Sequence, residues 1–303
     1  MKDQNHTKLP TGRDIPFLIS AIIGVGASGP IIAKSQMPVP TMIFWRNIIG
    51  GLVMLPFALA RGEWKSKVQR RAIGWSVSAG LLLGAHFICF FWAMKFTSVA
   101  TGTALTATQP IFAAIFVKLT GGHISKKSFG GMLIAFASVI VITGFDLNLS
   151  VRSFQGDLMA VVGGALGAAY MVIGAKVQRD ISTSTFTSVC YIVCGLSMLP
   201  IIFLTDSPFT GFSSYEWLLL TSLIIGTQLL GHTLFNFSLK RVSPAVVSLI
   251  IFFEVPVSAI LAYIWLDQKP PTGTIPGIIG LLFGCALFVL RSNQASSDEK
   301  RNK

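Results

Sequence analysis

The 303-residue chain has a composition that does not allow a water-facing surface. Hydrophobic residues make up 52% of it and charged residues 12%, whereas soluble domains carry about 25% charged residues. The net charge of +12 does not indicate a nucleic-acid surface, because the basic residues stand in short breaks between apolar runs instead of clustering on one face. With a mean hydropathy of +0.69, the composition excludes an ordinary soluble protein and predicts membrane-spanning helices.

Ten apolar stretches follow one another along the chain, separated by charged residues or by Pro and Gly. Each is close to the ~20 residues that a helix needs to cross a bilayer, and a membrane bundle tolerates internal Gly and Pro. The first stretch comes without an A-x-A-like cleavage site, so we expect it to be a retained span and not a signal peptide. The prediction is an all-α integral membrane protein with ten transmembrane helices. The predicted spans are residues 15–34, 40–60, 73–95, 98–119, 127–145, 156–176, 183–204, 216–238, 244–266 and 273–290.

The basic residues predict which way the chain enters the membrane, because Lys and Arg near span ends stay on the cytoplasmic side. With the N-terminus inside, 19 of the 24 basic residues fall on that side and 4 fall on the other, while Arg46 lies within a span. Nine or eleven spans would destroy this separation. We therefore expect cytoplasmic tails at residues 1–14 and 291–303, in a protein of the cell membrane.

The two halves of the chain resemble each other. The segment GLVMLP at residues 51–56 matches GLSMLP at residues 195–200 in five of six positions. At nearly the same offset, His86 corresponds to His232, and the prolines of the fourth and ninth spans also coincide. We interpret the pattern as an internal duplication.

The duplication predicts two five-helix repeats, at residues 15–148 and 149–290. Because each repeat crosses the membrane an odd number of times, the second copy enters from the opposite side. Inverted repeats of this kind place a substrate site near the bilayer midplane and support two conformations, each open to one side. This geometry is the main physical reason to predict a transporter.

Short segments at the ends and kinks of the spans are similar to those of one family. They are Pro40 to Arg46, Ala93 to Ser98, Gln109-Pro110, Glu254 to Val257 and Leu266-Asp267. Their order and doubled spacing, over about residues 15–290, resemble the drug/metabolite transporter superfamily, of the EamA-like ten-helix type. The resemblance implies a multi-pass membrane protein that moves metabolites or drugs, often outward.

Arg46 is an ionisable group inside the second predicted span. A charge at a helix centre costs at least ~2.5 kcal/mol on insertion scales, so such a residue is a candidate for function. We predict that Arg46, flanked by Trp45 and Asn47, is a fixed cation in the outer half of a cavity, where it would hold an anionic or carboxylate group. The structural alternative is a long side chain that reaches the outer interface.

Spans three to seven offer polar and aromatic side chains at depth. We select His86 in the third span and Gln109, next to the expected helix kink at Pro110, in the fourth. Tyr170 and Tyr191 lie in the middle of their spans, where an aromatic ring is suited to the wall of a cavity. An interhelical hydrogen bond is the structural alternative for His86.

Gln228, His232 and Asn236 follow one another at a spacing of four residues in the eighth predicted span. In an α-helix this spacing places all three on one face. A polar stripe of this kind faces protein or water, so we assign it to the cavity. The matching positions of the third span keep only the histidine, which predicts an asymmetric site.

Glu254 lies about ten residues into the ninth predicted span, ~15 Å deep and near the midplane. Its side chain is too short to reach water from there. Pro256, two residues later, predicts a kink that frees a backbone carbonyl. We assign Glu254 to a proton or a substrate amine, the alternative being a neutral carboxylic acid bonded to a neighbouring helix.

The sequence predicts a secondary transporter that exports a small organic metabolite, amino-acid-like or amphipathic and aromatic, by alternating access through a central cavity. Arg46 and Glu254 would offer opposite charges to a zwitterion. Two alternatives stay open: proton-coupled efflux of cationic drugs, and uptake of a nucleotide- or sugar-type metabolite. The expected partners are the substrate, the lipid bilayer and protons, for a monomer or homodimer.

An embedded enzyme and a non-transporting sensor fit the sequence less well. It contains no HExxH, GxSxG or nucleotide-binding GxxxxGK[ST] pattern, and we expect no paired carboxylates inside the membrane. Its loops are too short for a reporter domain. The four cysteines lie in apolar runs without metal-ligand spacing, so we predict neither a metal site nor a cofactor.

Overall fold

The computed structural model describes Gly12 and residues 14–119, 129–232 and 252–301, and throughout these residues the regular structure is helical. The helices are α1 (Asp14–Gly26), α2 (Ser28–Lys34), α3 (Val39–Arg61), α4 (Lys67–Phe96), α5 (Val99–Thr106), α6 (Gln109–Leu119), α7 (Phe129–Leu149), α8 (Val151–Val177), α9 (Thr183–Leu196), α10 (Leu199–Leu204), α11 (Ser214–Ser222), the π-helix π1 (Leu223–His232), α12 (Glu254–Leu266) and α13 (Ile275–Arg301). The predicted all-helical class is thus confirmed for the described residues.

Several helices are long and apolar enough to cross a membrane. The long ones are α3, α4, α8 and the segment Thr183–Leu204, which joins α9 and α10. Shorter apolar helices lie at Leu18–Lys34, Gly130–Ile142, Glu254–Leu266 and Ile275–Arg291. Large apolar side chains remain exposed along these helices, as in Phe57 at 62% and Ile140 at 71%. Such surfaces are suited to lipid, while the count of ten crossings and the side of each terminus remain predictions.

Three of the predicted spans are interrupted. The first breaks at Ala27, between α1 and α2, and the fourth breaks at Ala107 and Thr108, between α5 and α6. The seventh breaks at Ser197 and Met198, between α9 and α10. Pro110 is the second residue of α6, a position in the first helical turn where a missing backbone N–H costs no hydrogen bond. The predicted kink at Pro110 therefore corresponds to a short break just before it.

The eighth and ninth predicted spans differ from simple α-helices. Residues 223–232 of the eighth form the π-helix π1, whose hydrogen bonds close from i to i+5, and residues 233–238 lie outside the described part. The four-residue spacing of the predicted polar stripe therefore does not carry over unchanged. Helix α12 begins at Glu254, after a turn at Phe252 and Phe253, so Pro256 lies in its first turn. Residues 244–251 of the ninth predicted span lie outside the described part.

Glycines allow the helices to approach closely. A Cβ on Gly163 of α8 would stand 3.4 Å from the backbone nitrogen of Phe90, and one on Gly156 would stand 2.7 Å from that of Thr97. On the other side of α4, Gly80 meets the backbone of Cys190 on α9. Small residues at such crossings are typical of membrane helix packing. Helix α4 is thereby held between α8 and α9, and its middle turns lie inside the bundle.

Candidate functional site

Arg46 lies on α3 with only 1% of its side chain exposed. Its Nε donates a hydrogen bond of 3.0 Å to Oε1 of Gln228 on π1, a residue 182 positions away in the chain. Gly50, one turn further along α3, leaves room for this contact, because a Cβ there would overlap the Gln228 amide. The two residues that sequence analysis assigned to a cavity from separate spans are therefore in direct contact.

Two aromatic rings from α4 complete the surroundings of the guanidinium. The Cζ of Arg46 lies 4.5 Å from the centroid of the Phe87 ring and 5.7 Å from that of Phe91. A desolvated cation–π contact contributes about 2 kcal/mol, which offsets only part of the cost of burying a charge. Sequence analysis missed both rings, since in a chain with 23 phenylalanines nothing marks these two.

The buried guanidinium is not fully paired. Its Nη2 has no hydrogen-bond partner among the described residues. Tyr191, Cys194 and His86 interact with it electrostatically there, and none of these side chain types is normally an anion at pH 7. An isolated buried cation is costly, and an anion beside Nη2 would satisfy it. The arrangement is chemically suited to a carboxylate, which an arginine binds through two parallel N–H groups.

His86 and Gln109 form a second polar group, on α4 and α6. The Nδ1 of His86 lies 2.7 Å from the carbonyl oxygen of Gly163. A Cβ on Gly167 would stand 2.9 Å from His86 Nδ1 and 3.1 Å from Gln109 Nε2, so both side chains converge over this glycine of α8. The His86 contact is the interhelical hydrogen bond named above as its structural alternative.

The two predicted tyrosines lie near these groups. Tyr170 on α8 stacks on Phe186 of α9, with ring centroids 5.7 Å apart and an interplanar angle of 24°. Tyr191 is 4% exposed, and its Cβ lies 3.3 Å from the position of a Cβ on Gly51 of α3. Tyr191 thus sits in the α3–α9 contact on the same side as Arg46.

The neighbours of Arg46 in sequence point elsewhere. Trp45 donates from Nε1 to the carbonyl oxygen of Phe209 at 2.7 Å and packs edge-on against Trp217. Asn47 donates from Nδ2 to Ile43 of its own helix at 2.8 Å, and its Oδ1 is buried without a partner among the described residues. The structure therefore does not bring Trp45 to the guanidinium. Instead, the hydrogen bond of Trp45 links α3 to the 205–213 loop.

Glu254 does not meet Arg46 in this structure. Within the described residues neither side chain interacts electrostatically with the other. The backbone carbonyl of Glu254 faces Gly26 of α1, at 3.6 Å from the position of a Cβ there. The side chain of His232, and Asn236 altogether, lie outside the described residues. The proposed roles of these three residues stay predictions.

A pair of buried carboxylates lies where the fifth and sixth predicted spans meet. Asp146 of α7 and Asp157 of α8 are 1% and 0% exposed, and their side chains interact with each other. Thr97 donates to Asp146 Oδ2 at 3.2 Å. Sequence analysis missed the pair because Asp146 falls one residue beyond a predicted span and Asp157 one residue inside the next.

One end of the bundle is closed by the carboxylate of Glu216, in the first turn of α11. It accepts hydrogen bonds from the Ser35 hydroxyl, from the Gln36 N–H at 2.9 Å and from the Met37 N–H at 3.3 Å. Glu216 is 8% exposed. We call these contacts the Glu216 clamp; they join the α2–α3 connection to α11.

Two lysines reinforce the Glu216 clamp. Lys95, near the end of α4, donates to the carbonyl oxygens of Ala33, at 3.2 Å, and of Ser35. Lys34 donates to the Trp265 carbonyl at 3.0 Å, at the end of α12. The ends of four elements are thereby fastened together. In the sequence these two lysines are among the four basic residues expected on the outer side, and nothing there indicates their contacts.

A second clamp lies at the opposite end of α3, which is 23 residues or ~34 Å long. Glu63, in the α3–α4 connection, accepts from the backbone N–H of Ser182 at 2.8 Å, from its hydroxyl at 2.7 Å and from the Thr185 hydroxyl at 2.7 Å. We call this the Glu63 clamp. Partial burial acts to raise the pKa of Glu63, but the bonds from Thr185 and Ser182, with the charge of Arg61, outweigh it and lower the pKa.

Comparison with known proteins assigns the chain to a family. The family model described as "EamA-like transporter family" matches residues 14–144 and again residues 154–290. Since the two matches cover most of the 303 residues, the chain belongs to the EamA-like transporter family. The resemblance found in the short motifs is confirmed, and the protein is a member of a membrane transporter family.

Individual relatives are similar over most of their length. An "Uncharacterized transporter YxxF" of Bacillus subtilis is 24% identical over 91% of this chain and 89% of its own. The "Aromatic amino acid exporter YddG" of Ancylobacter novellus is 24% identical over 80% and 82%. An "S-adenosylmethionine uptake transporter" of Rickettsia prowazekii is 24% identical over 85% and 84%.

A solved crystal structure resembles the fold. It superposes with a TM-score of 0.62 at 18% identity, covering 93% of this chain and 99% of the other. At this identity the likeness shows the fold alone. A general transporter role rests on the family, and the nature of the solute has to be argued from the site.

Proposed function

We propose that the protein is a secondary transporter that exports a small organic metabolite bearing a carboxylate, amino-acid-like or amphipathic and aromatic, across the cell membrane. The observation that carries the proposal is the buried Arg46 guanidinium with its unpaired Nη2. The rings of Phe87 and Phe91 lie beside it and suit an aromatic or apolar body attached to the carboxylate. Export, as opposed to uptake, is suggested by the relative named as an aromatic amino acid exporter.

The position of the guanidinium supports alternating access. In the predicted repeats, residues 15–148 and 149–290, Arg46 and the two rings belong to the first copy, whereas Gln228 belongs to the second. A site shared by two inverted copies changes its exposure when one copy rocks against the other. The Glu63 and Glu216 clamps join the copies at opposite ends of α3. We propose ten crossings with both termini in the cytoplasm, which assigns the Glu63 clamp to the inner face.

The proposal is tested by transport into proteoliposomes of three related compounds: phenylalanine, phenethylamine, which lacks the carboxylate, and phenylacetate, which lacks the amine. We expect flux of the two carboxylates and little of the amine. Arg46→Gln should lower carboxylate flux by about 10- to 100-fold, the range of a lost hydrogen bond to a charged group. Arg46→Lys should restore only part of it, because an ammonium cannot pair with a carboxylate through two parallel bonds.

The matched control is Lys65→Gln, which removes an exposed cation from the α3–α4 connection. It should leave the flux of all three compounds within about twofold of the unaltered protein, the usual range for an exposed charge. Flux of phenethylamine equal to that of phenylacetate, or an Arg46→Gln variant that still prefers carboxylates, would contradict the proposal.

Proton-coupled efflux of a cationic drug is the second candidate, and Glu254 is the residue that favours it. The residue as a whole is half-buried, and no charged group of the described chain interacts with its carboxyl. Flux that is unchanged by Glu254→Gln between pH 5 and 8 would remove the proton role. The uncompensated cation at Arg46 argues against a positively charged solute, because like charges repel strongly at low dielectric.

Uptake is the remaining alternative for direction. A relative named as an S-adenosylmethionine uptake transporter suggests that inward transport occurs among similar chains. Comparing metabolites in cells that lack or overproduce the protein tests direction: accumulation on loss supports export and depletion supports uptake. The proteoliposome assay, run on complexes separated by size, tests whether the transporting unit is a monomer or a homodimer.

A further inference from the structure

A cleft of about 560 Å³ opens between the ends of α4 and α8, away from the Arg46 site. Val68 and Trp75 of α4, Ile173 of α8 and Phe116 of α6 contribute to its apolar wall. Its volume lies in the range of sites that hold small organic molecules or chains. None of the residues assigned to the transport site lines it.

The cleft continues a surface of exposed apolar side chains. Trp75 is 51% exposed and Val68 is 58% exposed. On α8, Leu158 and Val162 are 47% and 50% exposed. The cleft residues Ala169 and Lys176 follow at intervals of seven residues, which keeps them on the same helix face as Leu158 and Val162. An exposed apolar stripe along membrane-spanning helices leads directly into the cleft, so acyl chains have access to it.

The charged residues of the cleft lie on its rim, near the start of α4 and the end of α8. Arg71 lies in the second turn of α4, which begins at Lys67, and Lys176 is the penultimate residue of α8. Asp180 follows in the loop after α8, so the three rim groups sum to one positive charge. Basic clefts at the ends of membrane helices are suited to anionic lipid head groups.

We propose that this cleft binds an anionic phospholipid, whose phosphodiester lies between Arg71 and Lys176 and whose acyl chain packs on Trp75 and Ile173. The charge of the rim matches the single negative charge of phosphatidylglycerol, and the apolar wall provides a site for the chain that a free phosphate lacks. In the predicted topology the lipid belongs to the cytoplasmic leaflet, because Arg71 and Lys176 are among the 19 basic residues expected on that side.

The test is lipid titration of the purified full chain in nanodiscs, with spin-labelled phosphatidylglycerol and phosphatidylcholine as probes. We expect the anionic lipid to bind about tenfold more tightly, since each Lys or Arg near a head group contributes on this scale. Arg71→Gln with Lys176→Gln should abolish the preference. Asp180→Asn should strengthen it, a gain that cannot come from misfolding.

The matched control is Lys65→Gln with Arg70→Gln, which removes the same charge at the same end but lies outside the cleft lining. It should keep the preference for phosphatidylglycerol. Equal binding of the two lipids by the unaltered chain, or equal effects of the two double variants, would overturn the proposal. Displacement of phosphatidylglycerol by millimolar inorganic phosphate would also overturn it, because it would show a phosphate site that does not need the acyl chain.

Discussion

The two clamps use the same number of donors and differ in their surroundings. Glu216 and Glu63 each accept three hydrogen bonds, from hydroxyl and backbone N–H groups of a connection in the other predicted repeat. Glu216 is buried, and Lys95 lies close enough to interact with it. Glu63 is half-buried, with the exposed Arg61 as its nearest cation.

This difference predicts which of the two ends, that of the Glu216 clamp or that of the Glu63 clamp, opens more easily. Hydrogen bonds are stronger where water is excluded, and a surface charge pair contributes little. The Glu216 end is therefore held more firmly than the Glu63 end. In an alternating-access cycle both must break in turn, so we expect the Glu63 end to be open more often.

The largest effect is expected from Glu216→Ala, which leaves the N–H groups of Gln36 and Met37 without their acceptor. Each hydrogen bond to a charged group contributes about 1.5–3 kcal/mol, so opening at this end should rise at least about tenfold. The measurement is maleimide labelling of Met42→Cys, a position 1% exposed, in a chain whose four cysteines are changed to Ala.

Glu63→Ala in the same background is the control for this labelling. It breaks a clamp at the opposite end and should leave Met42→Cys as protected as in the unaltered chain. If Met42→Cys is as protected in Glu216→Ala as in the unaltered chain, the Glu216 clamp does not hold this end closed, and the proposed difference between the two clamps is wrong.

A smaller effect is expected from Lys95→Met. The change removes the bonds to the Ala33 and Ser35 carbonyls but keeps the Glu216 carboxylate and its own donors. We expect labelling of Met42→Cys to rise about fivefold, which corresponds to about 1 kcal/mol. Lys269→Met, which removes an exposed cation after α12, should change labelling by less than twofold. Equal effects of the two lysine changes would mean that net charge, and not the clamp, sets the closure.

Glu63→Gln should loosen the other end, with a weaker effect because water already screens this carboxylate. The reporter is Ala58→Cys, a position 6% exposed near the end of α3. We expect its labelling to increase less than fivefold, and that of Met42→Cys to stay unchanged. A larger increase than Glu216→Ala produces at its own end would reverse the proposed order of the two clamps.

The smallest effect is the pH dependence of the Glu63 clamp. Because the pKa of Glu63 is lowered in the folded protein, its stabilising effect is fully present above the ordinary value of 4.5 and is lost as the pH falls through the lowered value. Labelling of Ala58→Cys, relative to an exposed reference at Lys65→Cys, should be constant from pH 8 to 5 and rise only below about 4.5. A rise already at pH 6 would show that another group controls this end.

The helices followed from the sequence more closely than the site did. The second predicted span, 40–60, corresponds to Val39–Arg61, because hydrophobic length and charged ends are local properties. The break before Pro110 was indicated by the proline itself. The π-helix at Leu223–His232 was not indicated, since its hydrogen bonding depends on packing against α1, where Thr227 donates to the Gly24 carbonyl at 3.0 Å.

The site residues divide in the same way. Arg46 and Gln228 were selected because polar groups in apolar helices are costly, and they prove to be bonded to each other. Trp45 was selected by proximity in sequence, but on a helix adjacent residues do not face each other, and its indole points to the 205–213 loop. Asp146 and Asp157 were overlooked because they stand at the ends of two predicted spans, where a charge is ordinary.

The sequence by itself determined the membrane class, the family and the approximate course of the helices, because these depend on composition and on patterns within some twenty residues. Only the tertiary structure decided which polar groups meet. Arg46 with Gln228 and Ser35 with Glu216 join positions 182 and 181 residues apart. No local pattern specifies such pairs, because their formation depends on how the helices pack and on which buried donor reaches an acceptor.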